Sequence, residues 1–497
     1  MATSTIFFDR FYNAGQIVDN APRVGDTTYH GIDPSTGTPL WDVPVAREND
    51  VDDAVAAANG AFKKWSSLPQ QERSRLMKDL AACLEKHKDA LTDVLHKESG
   101  KPRPFAESEI MMGINTMRRH AEWSVPDQLL KDTEDVKIVV QHVPIGVVAG
   151  ITPWNYPFQL AILKIAPALA TGCTIILKPS PFTPYTALKI GEMAAGILPP
   201  GVVQVLGGDD NLGPWITSHP GIAKISFTGS TATGKKIMAA AAETLKRVNL
   251  ELGGNDAAVV TEDVDVLEAA QLVATATFAH SGQICMATKR IYVHESIYDE
   301  FLAHLVSVVK SYRLAEGFCS PIQNKMQYEK VKSIYNDCEE QGYTFALGGG
   351  KTFSHEDRPG YFISPAIVTN PPEKSRIVQE EPFGPIVPVL TWREDEDVVK
   401  RVNDTHTGLG ATVYCRDEKR AWKISGSIEA GSVWVNGGLK LDPVALFGAH
   451  KQSGIGGELG PLGLKYYMNT RTVTYWKTSS KGPQANSDNT SKGGLFT

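Results

Sequence analysis

Short apolar strands alternate with helices from residue 146 onwards, and this alternation restricts the possible folds more than any other feature of the sequence. Strands are predicted at 146–151, 174–179, 202–206 and 223–228, the first of them buried, with a first intervening helix at 158–169. Strands that alternate with helices of this length form a parallel sheet with right-handed crossovers. Because ligands bind at the carboxyl ends of such strands, we expect functional residues to follow the strand ends.

A second series of the same kind follows Asp256. Its predicted helices lie near 267–279, 297–312 and 325–341, and its predicted strands at 290–293, 387–391 and 411–414. Three further helices are predicted before the first series: one begins near 51, one begins near 69, and the third covers 103–123. A half-exposed strand is predicted at 136–143. A chain of 497 residues is too long for one ordinary core. The sequence therefore predicts an α/β protein with two or three domains.

The charge balance and the apolar segments argue against two classes of partner. Lys and Arg number 50 against 56 Asp and Glu, so no basic excess indicates nucleic acid. The most apolar stretch, 157–177, is interrupted by Gln159, Lys164, Pro167 and Gly172, which favours a buried core segment over a membrane span. The first ten residues lack the pattern of a secretory signal. We therefore predict no nucleic-acid partner and no membrane partner.

The cysteine pattern bears on metal binding and on cellular location. Six cysteines are scattered along the chain, without a Cys-x-x-Cys pair and without a histidine nearby at metal-ligand spacing. This pattern predicts neither a metal site nor a disulfide framework. Reduced thiols are typical of the cytoplasm, which is the predicted location.

One cysteine has neighbours that suit a nucleophile. Cys285 lies in Gly282-Gln-Ile-Cys-Met-Ala287, beside a glycine and among small or apolar residues. A single cysteine is more often a small core residue than a nucleophile. The catalytic interpretation therefore requires a base, an oxyanion donor and an electron acceptor elsewhere in the chain.

Two polar residues after predicted strands are candidates for the base and the oxyanion donor. Glu251 ends a strand and is followed by Leu-Gly-Gly; its apolar surroundings predict partial burial and a raised pKa, which would improve a base. Asn155 lies in Thr152-Pro-Trp-Asn-Tyr-Pro157 just after a strand, where its amide could donate to an oxyanion. The alternatives are a surface carboxylate for Glu251 and a plain turn for Asn155.

Three further motifs are candidates for binding a dinucleotide. Phe227-Thr-Gly-Ser-Thr-Ala-Thr-Gly234 runs from a strand into a helix whose free N–H groups could bind a phosphate, although it is not the Gly-x-Gly-x-x-Gly fingerprint. Lys178 follows another strand and could bind a ribose hydroxyl or be solvated. Glu380-Glu-Pro-Phe-Gly-Pro385 could hold a ribose and a nicotinamide or form an ordinary turn.

The order of these motifs resembles the aldehyde dehydrogenase superfamily, in its NAD(P)-dependent, non-acylating form. The resemblance runs from the first helices to about Trp476. It rests on Trp154-Asn155, Lys178-Pro179-Ser180, Phe227-Thr-Gly-Ser230, Glu251-Leu-Gly-Gly254, Gly282-Gln-x-Cys285, Glu381-x-Phe-Gly384 and Ser453-Gly-x-Gly-x-Glu458.

The resemblance implies a role for each matching residue. Cys285 matches the nucleophile, Glu251 the general base, and Asn155 the amide that joins the Cys285 N–H in the oxyanion hole. Glu251 also favours hydrolysis of the acyl group over its transfer to coenzyme A. The expected cofactor contacts are Trp154, Lys178, Ser180, Pro181, Gly229, Ser230, Gly234, Leu252, Gly253, Glu381 and Phe383. Lys164 and Glu458 match supporting polar residues.

The same resemblance implies a division of the chain into domains. Residues 1–124 and 142–254 would form a cofactor-binding α/β domain, and 255–465 a catalytic α/β domain, both with parallel-sheet cores. Residues 125–141 and 466–480 would form a small β oligomerisation element, and a homodimer or homotetramer is expected. The Ser/Gly/Asn-rich residues 481–497 are predicted to be a flexible tail.

Two departures from the family pattern concern the cofactor and the substrate. Pro181 stands where many NAD-preferring members carry glutamate, so NAD and NADP both remain candidates, with a slight preference for NAD. Phe158, Leu163, Ile284, Met286 and Phe447 are expected to form an apolar funnel for a medium or large apolar or aromatic aldehyde. A semialdehyde dehydrogenase for a charged intermediate and a catalytically idle structural homologue are the alternatives.

Overall fold

The computed structural model describes residues 6–11, 26–313, 319–350, 355 and 359–477. Up to residue 260 the described strands are β1 Thr28–Ile32, β2 Pro39–Pro44, β3 Gln128–Asp132, β4 Val136–Pro144, β5 Val147–Ile151, β6 Thr174–Lys178, β7 Val203–Val205, β8 Lys224–Thr228, β9 Arg247–Glu251 and β10 Ala257–Val260. The helices of this part are α1 Glu48–Ser67, α2 Gln70–Lys86, α3 Lys88–Ser99, α4 Arg103–His120, α5 Pro157–Thr171, α6 Tyr185–Ala195, α7 Leu212–Ser218 and α8 Thr231–Ala242.

The second half of the chain continues the alternation. Its strands are β11 Arg290–His294, β12 Thr344–Leu347, β13 Ala366–Thr369, β14 Ile386–Trp392, β15 Thr407–Gly408, β16 Gly410–Tyr414, β17 Ser432–Val435, β18 Phe447–Gly448, β19 His450–Lys451, β20 Gly454–Ile455, β21 Gly457–Glu458 and β22 Met468–Trp476. Its helices are α9 Val266–Phe278, α10 Tyr298–Lys310, α11 Lys325–Glu340, α12 Arg376–Gln379, α13 Asp395–Asn403, α14 Glu418–Gly426 and α15 Gly460–Leu464.

Two parallel sheets form the cores, which confirms the predicted α/β class. The first sheet has the strand order β20-β9-β8-β5-β6-β7, and β9 through β7 are parallel while β20 pairs antiparallel with β9. The second has the order β12-β13-β14-β11-β10-β16-β17 and is parallel except for β12. Six of these thirteen strands, β5, β6, β7, β8, β10 and β16, are buried along their whole length, as is typical of parallel sheets covered by helices.

The first sheet assembles several of the predicted site residues. Its strands β5, β6, β8 and β9 are neighbours and end at Ile151, Lys178, Thr228 and Glu251. The segments that follow these ends therefore meet at one edge of the sheet, as parallel pairing dictates.

A third, antiparallel sheet lies outside the two cores. Its order is β22-β4-β3, and its strands run through both segments predicted to form the small β element. Leu129 pairs with Val139, which pairs in turn with Val473, so one apolar row crosses all three strands. The proposed domain boundaries and the oligomerising role of this sheet stay predictions.

The structure corrects two details of the predicted elements. The helix expected at 103–123 ends at His120, where the next residues form a turn. A further helix, α3, was not predicted; it follows α2 after the single residue His87, whose φ of −105° interrupts the helix. The predicted flexible tail, 481–497, lies outside the described residues. Among the described helices, none is long and apolar enough to cross a membrane.

Candidate active site

Cys285 lies in a tight turn between α9 and β11. The 3-10 turn Ala279–Gly282 precedes it, and His280 and Ser281 adopt φ values of 51° and 53° there. Such left-handed backbone costs free energy in non-glycine residues and persists only where surrounding contacts fix it. Here Ser320 supplies the contacts: its hydroxyl lies 2.7 Å from Nδ1 of His280, and its carbonyl accepts the Ser281 hydroxyl at 2.6 Å.

Two glycines allow the nucleophile turn to pack against neighbouring backbone. Gly282 has a φ of 72°, and a Cβ there would lie 2.4 Å from the carbonyl oxygen of Gly384. A Cβ on Gly254 would lie 3.0 Å from the carbonyl oxygen of Cys285. The turn therefore contacts both the segment after Glu251 and the segment after Phe383, which explains the glycines in these motifs.

Glu251 has the environment expected of a general base. It ends β9, its side chain is buried, and neither carboxylate oxygen has a hydrogen-bond partner in the described part of the chain. Burial and the nearby Glu458 raise its pKa well above the usual value, while Lys164 opposes that shift. A carboxylate with a raised pKa is a stronger proton acceptor.

A buried polar cluster lies behind Glu251. Lys164 forms an ion pair with Glu458 and donates to the Thr228 hydroxyl at 2.7 Å. Ser226 and Asn249 also donate to Glu458, at 3.4 and 3.3 Å. Lys164 and Glu458, whose role the sequence left open, thus form one network beside the candidate base.

The side chain of Asn155 contacts the nucleophile turn, and its backbone carbonyl is bound by Lys101. Its Nδ2 donates to the carbonyl of Gln283 at 2.9 Å, two residues before Cys285. Its own carbonyl accepts from Nζ of Lys101 at 2.6 Å. Lys101 also pairs with Glu109, whose carboxylate accepts the backbone N–H groups at the start of α5.

The residues of the glycine turn meet the requirements of a phosphate-binding site. Ser230 caps α8 by accepting from the N–H of Thr233, and Gly229 donates to the carbonyl of Glu251 at 3.0 Å. A Cβ on Gly234 would lie 2.6 Å from the side chain of Leu252, so this glycine permits α8 to approach β9. The N-terminus of α8 is therefore held at the same sheet edge as the candidate base.

The two aromatic residues expected beside the cofactor lie together. The rings of Trp154 and Phe383 meet edge to face with centroids 5.3 Å apart. Glu381, two residues before Phe383, accepts from the N–H of Gly254 at 3.3 Å, and a Cβ on Gly253 would lie 2.4 Å from its carboxylate. Glu381 thus lies against the backbone that follows the candidate base.

Lys178 is buried rather than solvated at the end of β6. Burial lowers its pKa, and the carboxylates of Asp210 and Asp209 counteract this. Both acids are exposed and follow β7, the neighbouring strand. Ser180 is buried and accepts from the Phe182 N–H at 3.3 Å, while Pro181 is half-buried. This group, the α8 N-terminus and the Trp154–Phe383 pair together fit a dinucleotide.

Four of the five predicted funnel residues lie around Cys285. Leu163, Phe447 and Met286 share one apolar cluster with Cys285, and Ile284 shares the adjoining cluster with Met286. Phe158 lies elsewhere: it is fully buried in the largest core cluster, and a Cβ on Gly113 of α4 would lie 2.6 Å from its ring. Phe158 is thus a core residue at the interface between α4 and α5.

The structure adds residues that sequence reasoning missed. Further apolar side chains belong to the two clusters around Cys285; they are Tyr156, Leu160, Leu409, Trp434, Leu439, Leu441, Ala449 and Leu459. Lys289 is also new; its Nζ donates to the Cys285 carbonyl at 2.5 Å. Spacing gave no signal for these residues, since they come from segments distant in sequence or from the turn geometry itself.

Comparison with known proteins shows the family of this chain. The model of the aldehyde dehydrogenase family matches residues 22–473. The chain is 38% identical to aldehyde dehydrogenase LUC3 of a Fusarium species over 470 residues, which cover 95% of this chain and all of that protein. It is 39% identical to the peroxisomal aminoaldehyde dehydrogenase 1 of Pisum sativum, over 89% of this chain and 91% of that one.

Solved structures with the same fold include enzymes of both cofactor types. An NAD+ complex of an aldehyde dehydrogenase from Bacillus cereus superposes with a TM-score of 0.90 at 33% identity, over 95% of this chain and 98% of that one. An NADP-dependent enzyme of E. coli gives a TM-score of 0.90 at 31% identity, over 94% and 98%. The fold and the site define a nicotinamide-dependent oxidoreductase of aldehydes. The chain belongs to the aldehyde dehydrogenase family, and it is an NAD(P)-dependent aldehyde dehydrogenase.

Proposed function

We propose that this enzyme oxidises a medium or large apolar or aromatic aldehyde to its carboxylic acid through a thioester on Cys285. The observation that carries the proposal is the apolar cluster around Cys285, which lies beside a buried carboxylate, Glu251, with no protein partner among the described residues. An apolar wall suits an apolar substrate chain, and the unpartnered carboxylate suits activation of water.

In the proposed mechanism, the thiolate of Cys285 attacks the aldehyde carbon and forms the C–S bond. Asn155 and the Cys285 N–H donate to the oxyanion, and loss of one such donor typically costs about 3–4 kcal/mol of transition-state stabilisation. A nicotinamide, which Trp154, Glu381 and Phe383 would hold, would supply the acceptor for the hydride that leaves the adduct. Glu251 then takes a proton from water, whose oxygen attacks the thioester carbon, and the C–S bond breaks to release the acid.

The charged-substrate alternative deserves a direct test because some relatives act on such compounds by name, as in the aminoaldehyde dehydrogenase of Pisum sativum. A buried substrate charge requires a counter-charge or a set of hydrogen bonds. The apolar side chains that cluster with Cys285 form a wall beside it, and the nearby cation Lys289 is already bound to three carbonyl oxygens of the turn and faces Glu381. This favours an uncharged substrate chain.

A panel of aldehydes with matched chain length separates these alternatives. We would measure kcat/KM for apolar, aromatic, ω-amino and ω-carboxylate aldehydes, each with NAD+ and with NADP+. Apolar or aromatic aldehydes are expected to be at least 10-fold better than the charged ones, because one unpaired buried charge costs several kcal/mol. Preference for a charged aldehyde would overturn the substrate class, and undiminished activity of Cys285→Ala would overturn the mechanism.

We propose NAD as the preferred cofactor. Pro181 supplies no carboxylate to the adenosine ribose, but Asp209 and Asp210 place negative charge beside Lys178. Negative charge at this position would repel a 2′-phosphate more than a 2′-hydroxyl.

Self-association through the three-stranded sheet is also proposed. The apolar row across β3, β4 and β22 is partly exposed: Leu129 is 56% and Val473 41% accessible in the single chain. Exposed apolar patches of this kind mark protein interfaces, and the occupant that we propose is the same sheet of a second copy. The cytoplasmic location stays a prediction.

A further inference from the structure

Lys289 lies inside the active site, four residues after the nucleophile, and is almost completely buried. Its ammonium donates to the carbonyl oxygens of Ile284 at 3.1 Å, Cys285 at 2.5 Å and Ala287 at 3.1 Å. An ammonium group has three donors, and these three acceptors all belong to the turn that carries the nucleophile. The side chain therefore holds the Cys285 turn together from within.

The same ammonium faces the carboxylate expected to contact the cofactor. Nζ of Lys289 lies 3.5 Å from Oε1 of Glu381, and Lys289 is only 4% exposed. That same Oε1 accepts from the N–H of Gly254, three residues after the candidate base. Lys289 and Glu381 thus join the nucleophile turn, the segment after the base and the cofactor loop.

The electrostatic consequence concerns the thiol of Cys285. Burial raises its pKa to about 12, and the positive charge of Lys289 opposes this shift. The carboxylates of Asp256, Glu381 and Glu251 raise the pKa of the thiol further. Asp256 begins the segment leading into β10, and its carbonyl accepts the backbone N–H of Lys289 at 2.9 Å. Among the described residues, Lys289 therefore opposes the effect of these three carboxylates on the thiol.

We propose that Lys289 is a positioning residue for the nucleophile: it fixes the Cys285 turn and supplies the positive charge that favours the thiolate. The negative charge of Glu381 disfavours the thiolate, so the ion pair between Lys289 and Glu381 determines how much thiolate forms before the aldehyde binds. The inference rests on the proposed role of Cys285 as nucleophile. Its test does not need aldehyde turnover.

The test follows the rate of alkylation of Cys285 by iodoacetamide in full-length protein, without cofactor or aldehyde, from pH 6 to 11, where the rate rises with the thiolate fraction and a changed pKa displaces this rising part of the profile. Alkylation is measured on the Cys285 peptide by mass spectrometry, because the other cysteines are also free thiols. Lys289→Met should move the alkylation profile to higher pH, by about one unit or more, and Lys289→Arg should stay closer to the parent. Glu381→Gln should move it to lower pH.

Lys330→Met is the matched control. Lys330 is an exposed lysine that donates to the backbone carbonyl of Glu381 at 2.8 Å, so it lies near the same loop without contacting the nucleophile turn. Its alkylation profile should equal that of the parent.

Opposite shifts in Lys289→Met and Glu381→Gln would support the proposal, and Glu381→Gln tests it alone if Lys289→Met does not fold. Folded variants with the parental profile would overturn it, since a purely structural lysine would leave the pH dependence of the thiol unchanged. Failure of the parent to oxidise any aldehyde, with the two shifts intact, would count against the proposed function only.

Discussion

At the residue scale, the proposed roles of Glu251 and Cys285 can be distinguished because the two residues act in different steps. Replacing Glu251 with Gln leaves the nucleophile and the oxyanion amide in place but removes the proton acceptor for water. We expect Glu251→Gln to release about one equivalent of NAD(P)H per active site in a rapid burst and then to turn over at least about 100-fold more slowly than the parent. Stopped-flow absorbance at 340 nm gives both quantities. A variant without a burst but with slow turnover from the start would place Glu251 before the thioester.

The proposed preference for NAD can also be tested at single residues. Pro181→Glu adds a carboxylate beside the buried Lys178, where it could accept from ribose hydroxyls and repel a 2′-phosphate. The ratio of kcat/KM for NAD+ to that for NADP+ should rise by about 10-fold, which corresponds to roughly 1.4 kcal/mol. Asp210→Asn should lower the same ratio, because it removes a charge near Lys178. Unchanged ratios in both variants would show that neither position reads the 2′ substituent.

At the element scale, helix α4 carries a histidine that makes stability depend on pH. His120 is buried, its Nδ1 lies 2.9 Å from the carbonyl of Thr116, and burial lowers its pKa to about 4 from 6.5. The unfolded chain therefore takes up a proton as the pH falls through 6.5, while the folded protein does not until about 4. This penalty is absent above pH 6.5 and amounts to about 2 kcal/mol near pH 5.

Thermal melts at pH 7.5 and pH 5 test the role of His120. The fall in Tm between the two pH values should be smaller in His120→Phe than in the parent. His304→Gln is the control, since His304 lies on α10 with 38% of its side chain exposed, and it should keep the parental difference. Equal differences in all three proteins would remove His120 as the source of the acid sensitivity.

The residue patterns of single strands and helices explain which features the sequence could predict. Strand β6 contains a short apolar run and β8 alternates apolar with polar residues, and turn residues follow both, so the positions of these strands were predictable. Helix α5 is buried on nearly every side, so periodicity could not tell that Phe158 faces α4 while Leu163 faces the nucleophile. Lys289 was beyond prediction because its direction depends on how the turn after Cys285 closes.

At the scale of the whole molecule, the candidate active site lies between the two parallel sheets. Glu251 ends a strand of the first sheet, and Cys285 precedes a strand of the second. The hydroxyl of Ser453 links the two sheets. It donates to the carbonyl of Gly253, just after β9, at 2.7 Å, and it accepts the N–H of Gly408, just before β16, at 2.9 Å. The chemistry therefore depends on how the two halves pack, as well as on each motif.

The three-stranded sheet β22-β4-β3, outside both cores, provides the prediction for the assembled molecule. Leu129, Val139 and Val473 line one face together with Tyr475, and they border a shallow groove of about 440 Å³. Full burial of one Leu or Val contributes about 1.5–3 kcal/mol, so a few such side chains from each copy would stabilise a dimer. A buried unpaired charge would cost more than this gain. Leu129→Lys/Val473→Lys is therefore expected to dissociate the assembly without unfolding the chain, because both positions are exposed in the single chain.

Light scattering after gel filtration measures the mass directly. The parent is expected at a multiple of 54.0 kDa and the double variant at 54.0 kDa, with matching circular dichroism spectra. Leu267→Lys serves as the control: this leucine is 45% exposed on α9, away from the sheet, and its replacement should leave the assembled mass unchanged. A parent that elutes at 54.0 kDa, or a double variant that stays assembled, would show that this apolar row is not the interface. Since neither Cys285 nor Glu251 belongs to the sheet, the dissociated variant should also show whether catalysis requires the assembly.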